Sequence, residues 1–216
     1  MLKYKLIIFD LDGTIADTSL GILNSIRYTQ KKLSLPEIPI SVMKKFIGPS
    51  NYESYNRYFG LIEDKLAWAV SLHKEYAINK GYKELSFYDG IIDLFSHIRQ
   101  EGSKIAVATL KANQTAVKIF DQFKLTNQID MIKGVDIAKP QTKAQLLQEC
   151  LTTFDVINKK TVLIGDSCFD AIGAAEVGVD FIGVTYGFGF KTKEDLKPYP
   201  NIGVVNSVGE IIQLLK

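Results

Sequence analysis

Residues 5–14 read KLIIFDLDGT, an apolar run that ends abruptly in two aspartates, a glycine and a threonine. A continuous apolar run of this length predicts a strand covered on both faces, as in a parallel sheet. Residues two apart in an extended segment point to the same side, so Asp10 and Asp12 should share one side while Leu11 packs away from them. The stretch therefore predicts a buried strand that delivers two carboxylates at its carboxyl end.

Apolar runs of the same kind recur along the chain, with amphipathic stretches between them. Buried strands are predicted at residues 5–9, 105–108, 161–164 and 181–184, and shorter strands at 131–132 and 203–205. Helices are predicted at residues 90–100, 114–123, 143–151, 170–177 and 208–215. Strands that alternate with helices are typical of an α/β fold with a doubly wound parallel sheet.

Residues 18–88 break this alternation. They contain helical patterns at 20–33, 41–47, 52–58 and 62–79, separated by prolines and glycines, and no clear strand. A block of this length is too long for one crossover helix between parallel strands. We therefore predict a core built from residues 1–17 and 89–216, with residues 18–88 inserted as a helical cap subdomain.

The composition excludes several classes of protein. The chain has 216 residues, of which 46% are apolar and 23% charged, with a net charge of +2. This balance gives no basic field for nucleic acid, and no apolar run is long enough to span a membrane. Cys150 and Cys168 form no CxxC pair, which favours a cytoplasmic protein with packed, unreactive thiols. His73 and His97 have polar neighbours and are expected at the surface.

Polar residues follow three of the predicted strands at the point where each strand ends. Asp10 and Asp12 follow the first, Thr109 the second, and Gly165-Asp166 a third. Ligands of open α/β sheets bind at the carboxyl ends of the strands, so these side chains should meet at one edge. Crowded carboxylates resist joint ionisation unless a cation lies among them, and Mg²⁺ prefers oxygen ligands.

Asp170 and two lysines have more than one reading. Asp170 lies in the first turn of a predicted helix, where it would complement the helix dipole or, beside Asp166, join the metal site. Phosphate chemistry also needs positive charge. Lys139 and Lys143 both precede the Asp166 strand, and Lys143 begins a predicted helix, so its amine and the helix N-terminus would face one anion together.

These motifs resemble those of the haloacid dehalogenase superfamily of phosphatases, in the branch similar to phosphoglycolate phosphatases and 5′-nucleotidases. Residues 10–14 match its first motif, DxDGT, and Thr109 matches the hydroxyl residue of its second. Gly165, Asp166 and Asp170 match its GDxxxD motif, and residues 183–189, GVTYGFG, are similar to the same branch. The resemblance covers essentially the whole chain, including the inserted cap.

The resemblance implies a Mg²⁺-dependent phosphatase whose partner is a small phosphorylated metabolite. Asp10 would be the nucleophile and Asp12 the general acid and base. Thr109, Leu110 and Lys143 would bind phosphate, Leu110 through its backbone N–H because its side chain departs from the polar residue common in the family. The metal ligands would be Asp10, Asp12 through its backbone carbonyl, Asp166 and Asp170. Lys139 remains the alternative to Lys143.

Other readings stay open at this point. A nucleotide-sugar transferase would use the DLD pair for metal but would need neither Asp166 nor Asp170. A phosphomutase of the same superfamily shares the first-motif acids, and a non-catalytic regulatory protein could use the same scaffold. The substrate is expected to be phosphoglycolate-like or a nucleoside monophosphate, and the protein a monomer or homodimer. The cap, including its loop at residues 46–52, is expected to determine substrate choice.

Overall fold

A computed structural model describes residues 1–136 and 141–216, and Lys139 lies outside the described residues. The chain divides into two compact units, one made of Met1–Asp17 and Phe87–Lys216 and the other of Thr18–Ser86.

The larger unit, which we call the core unit, is built on a six-stranded parallel sheet. Its strands are β1 (Leu6–Phe9), β4 (Lys104–Ala112), β5 (Met131–Val135), β6 (Thr161–Gly165), β7 (Asp180–Val184) and β8 (Gly203–Val205). They lie in the order β5-β4-β1-β6-β7-β8, and every neighbouring pair is parallel. Two short strands, β2 (Ala16–Asp17) and β3 (Ser86–Phe87), pair with each other where the chain leaves and re-enters this unit. The predicted α/β fold with a parallel sheet is confirmed.

Helices cover both faces of the sheet, as a doubly wound fold requires. The core unit contains α5 (Ile91–Gln100), α6 (Asn113–Gln122), α7 (Lys143–Phe154), α8 (Cys168–Val177) and α9 (Val208–Leu214). Leu6 and Ile8 of β1 belong to one buried cluster with residues of α7 and α8. Phe9 points to the opposite face, where its ring meets Phe95 of α5 edge-on at 5.3 Å between centroids. Because successive strand residues alternate between faces, β1 is buried along its whole length.

The register of the central strands aligns their carboxyl ends along one edge of the sheet. Phe9 at the end of β1 pairs with Val107 of β4 on one side and with Ile164 of β6 on the other. The residues that follow these positions therefore emerge at one edge of the sheet, next to one another.

Strand β4 is longer than its apolar run predicted. It continues to Ala112, and its pairing with β5 shifts register between Thr109 and Ala112. A shift of this kind is a bulge, which bends the strand locally and changes where its side chains point.

The second unit, which we call the cap unit, is helical. It contains α1 (Ser19–Leu33), α2 (Ile40–Met43), α3 (Asn51–Phe59) and α4 (Glu63–Asn79). Its own apolar cluster includes Phe46, Tyr55 and Val70. The predicted helix at residues 41–47 is shorter than expected, because α2 ends at Met43 and a 3₁₀ turn follows.

The expectation that both histidines lie at the surface is wrong. His73 of α4 is buried, and its Nδ1 lies 3.0 Å from the Tyr55 hydroxyl. That hydroxyl satisfies the ring, which removes the cost of burying a polar group. His97 is half-buried on α5. Cys150 is buried and Cys168 partly buried against the same apolar cluster, as packing residues should be.

No helix in the described part of the chain combines the length and apolar character needed to cross a membrane.

Candidate active site

The predicted acidic residues meet at the carboxyl edge of the sheet. One oxygen each from Asp10, Asp166 and Asp170 lie within 4.8 Å of one another, and all three residues are buried. We call this group the acidic triad. Asp10 follows β1, and its N–H donates to Ile164 O at 2.9 Å, which ties the nucleophile candidate to the neighbouring strand.

Lys143 supplies the positive charge that the acidic triad needs. Its Nζ lies 2.6 Å from Asp10 Oδ1 and 2.7 Å from Asp170 Oδ1, and it donates to the Ala108 carbonyl at 2.6 Å. The side chain is 3% exposed. The contacts with Asp10 Oδ1 and the Ala108 carbonyl are hydrogen bonds, whereas the contact with Asp170 Oδ1 is an ion pair without a hydrogen bond.

Helix α7 begins at Lys143, and this start is fixed by its own sequence. Thr142 Oγ1 accepts from Gln145 N, and Gln145 Oε1 accepts from Thr142 N, which together form a capping box. The stem of Lys143 lies against Gly173 of α8, where a Cβ would come within 2.7 Å of Lys143 Cγ. Close packing of α7 on α8 therefore aims the ammonium at the triad.

Burial and mutual repulsion perturb the titration of these groups. Burial raises the pKa of Asp10, and the nearby carboxylates add to the rise while Lys143 opposes it. Burial, followed by the charge of Asp170, raises the pKa of Asp166 to about 6. For Lys143, burial alone would lower the pKa, but Asp10 and Asp170 outweigh it and the pKa is raised. Strong shifts of this kind concentrate at functional sites.

Asp170 satisfies both readings of its position. Its Oδ2 accepts from Ser167 N at 3.1 Å and from Ser167 Oγ at 2.6 Å, while Asp170 N donates to Ser167 Oγ at 3.4 Å. This capping box fixes the start of α8, and the other oxygen faces Lys143. The residue caps a helix and completes the triad at once.

Asp166 is held by a loop that sequence reasoning did not connect with the site. Its Oδ2 accepts from Phe188 N at 2.6 Å and from Gly189 N at 2.9 Å, and its carbonyl accepts from Phe190 N at 2.7 Å. At Gly187 a Cβ would lie 2.5 Å from Asp166 Oδ2, so the chain passes too close for any side chain. The donors are backbone N–H groups, which nearly every residue type has, so the sequence does not reveal them.

Asp12 has a partner that was also missed. Lys111 Nζ lies 3.1 Å from Asp12 Oδ1, and the two side chains are 14% and 17% exposed. Lys111 follows Thr109 by two residues, but β4 shifts register between Thr109 and Ala112, so no spacing in the sequence indicated this contact.

The two second-motif residues, Thr109 and Leu110, have different surroundings. Thr109 is buried at the end of the regular part of β4, and its Oγ1 accepts from Lys111 N at 3.2 Å. The Leu110 side chain packs against the apolar cluster and not toward the triad. Its phosphate-binding role, through the backbone, stays a prediction.

The side chains present suit a divalent metal ion. The acidic triad and Asp12 supply four carboxyl groups, against the two amino groups of Lys111 and Lys143, so acidic groups outnumber basic ones by two. The ligand atoms are carboxylate oxygens, the type that Mg²⁺ prefers. With Asp166 Oδ2 engaged by two amides, Oδ1 is the oxygen left for coordination.

Comparison with known proteins agrees with this geometry. The sequence model of the haloacid dehalogenase-like hydrolases matches residues 7–184. A 5′-nucleotidase of Pseudomonas aeruginosa is 31% identical over 189 residues, which cover 87% of this chain and 86% of that protein. A solved haloacid dehalogenase-like hydrolase of Streptococcus pneumoniae superposes with a TM-score of 0.90 at 29% identity, over 99% of both chains.

A third relative is longer. The tyrosine-protein kinase PtkA of Mycobacterium tuberculosis is 31% identical over 186 residues, and the match covers 86% of this chain but 63% of that protein. The chain thus spans less than two thirds of the length of this relative. By the family match and the shared fold, the chain belongs to the haloacid dehalogenase-like hydrolases.

Proposed function

We propose that this enzyme hydrolyses a small phosphomonoester with the help of Mg²⁺, through an aspartyl-phosphate on Asp10. The observation that carries the proposal is the buried triad with Lys143 Nζ at 2.6 Å from Asp10 Oδ1, at the edge where the central strands end. A buried, rigidly held carboxylate beside a cation is suited to in-line attack on phosphorus.

Two steps complete the reaction. In the first, an Asp10 oxygen bonds to phosphorus while the ester P–O bond breaks, and the leaving oxygen takes a proton from Asp12. In the second, Asp12 takes a proton from water, whose oxygen bonds to phosphorus and breaks the bond to Asp10. Inorganic phosphate leaves, and both carboxylates return to their starting forms.

The remaining residues hold the phosphoryl group and the metal. Lys143 and the Thr109 hydroxyl would bind the non-bridging oxygens, with the Leu110 N–H. Asp10, the Asp12 carbonyl, Asp166 and Asp170 would hold Mg²⁺. When bound, the ion neutralises charge between the nucleophile and the phosphoryl group.

The substrate class follows from size and from relatives. A 5′-nucleotidase is among the similar proteins, and the sequence resembles phosphoglycolate phosphatases. We therefore propose a phosphoglycolate-like ester or a nucleoside monophosphate as substrate. The PtkA relative suggests a second acceptor for the phosphoryl group, a tyrosine in place of water.

Phosphate release from a panel of phosphomonoesters, with Mg²⁺ and with EDTA, tests the proposal. Asp10→Asn should lower release by at least about 10³-fold, because the amide is not a nucleophile. Asp93→Asn makes the same chemical change at an exposed position of α5 and should leave release unchanged. Acid-quenched wild type should carry phosphate on the peptide that contains Asp10.

Three outcomes would contradict the assignment. Substantial turnover by a folded Asp10→Asn variant would remove the covalent step. Release that persists in EDTA would remove the metal. Isomerisation of a sugar phosphate without phosphate release would favour the phosphomutase alternative, which shares the intermediate but returns the phosphoryl group to its substrate.

A further inference from the structure

The ion pair between Lys111 and Asp12 places a second ammonium group at the active site. Lys111 Nζ lies 3.1 Å from Asp12 Oδ1, and its side chain is 14% exposed, whereas Lys143 is almost fully enclosed. Among the described residues, Lys111 has one carboxylate partner for its three donors. Lys143 donates two hydrogen bonds and lies against a second carboxylate, so less of its binding capacity remains than for Lys111.

Lys111 reaches Asp12 because β4 is bulged. The pairing of β4 with β5 is regular up to Thr109 and resumes at Ala112, which leaves Leu110 and Lys111 outside it. Lys111 N donates to Thr109 Oγ1 at 3.2 Å, within the bulge. Bulges beside active sites commonly redirect a side chain, and this one directs an ammonium group to Asp12.

The bulge requires a glycine at position 134 of the neighbouring strand β5. A Cβ at this position would lie 2.5 Å from the Lys111 carbonyl oxygen and 2.7 Å from Asn113 Cα. Asn113 Oδ1 accepts from Gly134 N at 2.9 Å, which replaces a ladder hydrogen bond. The neighbouring strand is therefore shaped to receive the bulge, and Lys111 is held by its backbone as well as by its charge.

We propose that Lys111 selects substrates whose leaving group carries a negative charge of its own. This inference rests on the proposed function, in which Asp12 protonates the leaving oxygen. That oxygen must then lie beside Asp12, whose Oδ1 is 3.1 Å from Lys111 Nζ. A carboxylate or phosphoryl group a few bonds from the ester oxygen falls within its reach.

The proposal separates the candidate substrates by charge. The leaving group of phosphoglycolate is a hydroxy acid with a carboxylate, and that of pyrophosphate is a phosphate. The leaving group of a nucleoside monophosphate is an uncharged nucleoside. An ammonium group binds an anion by charge-assisted hydrogen bonds, which are about twice as strong as neutral ones. The preferred class is therefore small phosphoesters or anhydrides with an anionic leaving group.

The experiment compares two esters of similar size, phosphoglycolate and 2-hydroxyethyl phosphate, which differ in the charge of the leaving group. Wild type should favour phosphoglycolate in kcat/KM. Lys111→Met should lower kcat/KM for phosphoglycolate by about 10- to 100-fold, the loss expected for one hydrogen bond to a charged group. The same variant also removes the cationic partner of Asp12, which affects both esters alike, so kcat/KM for 2-hydroxyethyl phosphate should fall by a clearly smaller factor than kcat/KM for phosphoglycolate. Lys111→Arg keeps the charge and should keep the preference.

The ratio of the two kcat/KM values isolates charge recognition, because both esters need the same proton from Asp12 and the ratio does not depend on the folded fraction. An equal loss for both esters in Lys111→Met would overturn the proposal. So would a wild type that does not distinguish the esters, or one that turns over p-nitrophenyl phosphate and neither ester. If no phosphoester is hydrolysed at all, the proposed function itself fails, and this inference with it.

Discussion

At the scale of single residues, the site is built from carboxylates whose two oxygens have different surroundings. Asp170 uses Oδ2 to cap α8 and Oδ1 to face Lys143. Asp166 uses Oδ2 to accept two amides, which leaves Oδ1 for a metal ion. Because each carboxylate is fixed through one oxygen, the orientation of the other oxygen is fixed as well. This division prepares the site before a ligand arrives.

Lys143 should contribute strongly to stability as well as to chemistry. Lys143→Met keeps the apolar stem against Gly173 but leaves buried carboxylates without their cation. We expect the free energy of unfolding to fall by about 3–5 kcal/mol, as when one partner of a buried pair is removed. Urea unfolding at neutral pH without Mg²⁺ measures it.

Lys133→Met is the matched control for this change. Lys133 pairs with Glu149 on the surface, where the side chains are 36% and 39% exposed. Its loss should cost less than about 1 kcal/mol, because water screens an exposed pair. Equal losses in the two variants would show that the buried pair adds nothing to stability beyond a surface one.

At the scale of elements, two irregular segments position active-site residues that no regular strand or helix holds. The bulge in β4 directs Lys111, and residues 187–190 wrap Asp166 with backbone amides. Both depend on a glycine that permits close approach, Gly134 in the first case and Gly187 in the second. Helices α7 and α8 position their residues differently, through capping boxes at their first turns.

Gly187→Ala should weaken Mg²⁺ binding without unfolding the protein. The added Cβ would collide with the Gly13 carbonyl oxygen and lie 2.5 Å from Asp166 Oδ2, so the loop must move away from Asp166 or displace its carboxylate. Loss of a partner that orients a metal ligand typically costs about 10- to 100-fold in affinity. Isothermal titration of the metal-free protein with Mg²⁺ measures it. Gly209→Ala, where nothing lies within 4 Å of the new Cβ, is the control. Unchanged affinity in a folded Gly187→Ala variant would remove the loop from metal binding.

The strands and most helices could be predicted because buried positions are apolar. Apolar residues are continuous in buried strands and recur on one face of each helix. Residues 5–9 and 161–164 are continuously apolar, and β1 and β6 lie there. The bulge after Thr109 could not be predicted, since it depends on the shape of β5. His73 was misplaced because its polar neighbours in sequence are not its neighbours in space. The meeting of Asp10 and Asp166 followed from the strand ends, and Asp170 and Lys143 were placed there by the starts of predicted helices and by the family resemblance. The amides at Asp166 carry no sequence signal.

At the scale of the whole molecule, stability depends on contacts between elements distant in sequence. Asp130, just before β5, is one such point in the core unit. Its Oδ2 accepts from Ile105 N at 2.9 Å, and its Oδ1 lies 2.9 Å from Lys104 Nζ. Burial alone would raise the pKa of Asp130, but the Ile105 hydrogen bond and the Lys104 charge outweigh it, so the pKa is lowered.

Asp130 should make stability depend on pH in the acid range. A carboxyl with a lowered pKa in the folded state stabilises it above the ordinary value of 3.8, and this contribution is lost as the pH falls through the folded-state pKa. Asp130→Asn should lower the free energy of unfolding at pH 7 by about 1 kcal/mol, after allowance for screening. The difference from wild type should vanish in strong acid.

Urea unfolding at a series of pH values tests this, with Asp93→Asn on the exposed face of α5 as control. A difference between wild type and Asp130→Asn that stays constant from neutral pH into strong acid would show that the charge of Asp130 is not involved.

The distance along the chain between the parts of the active site has a consequence for synthesis. Asp10 emerges from the ribosome early, but Lys143 follows 133 residues later and the amides that hold Asp166 later still. A growing chain therefore contains Asp10 long before it contains the cation and the loop that hold the site together. A chain released before residues 187–190 are made would lack part of this geometry.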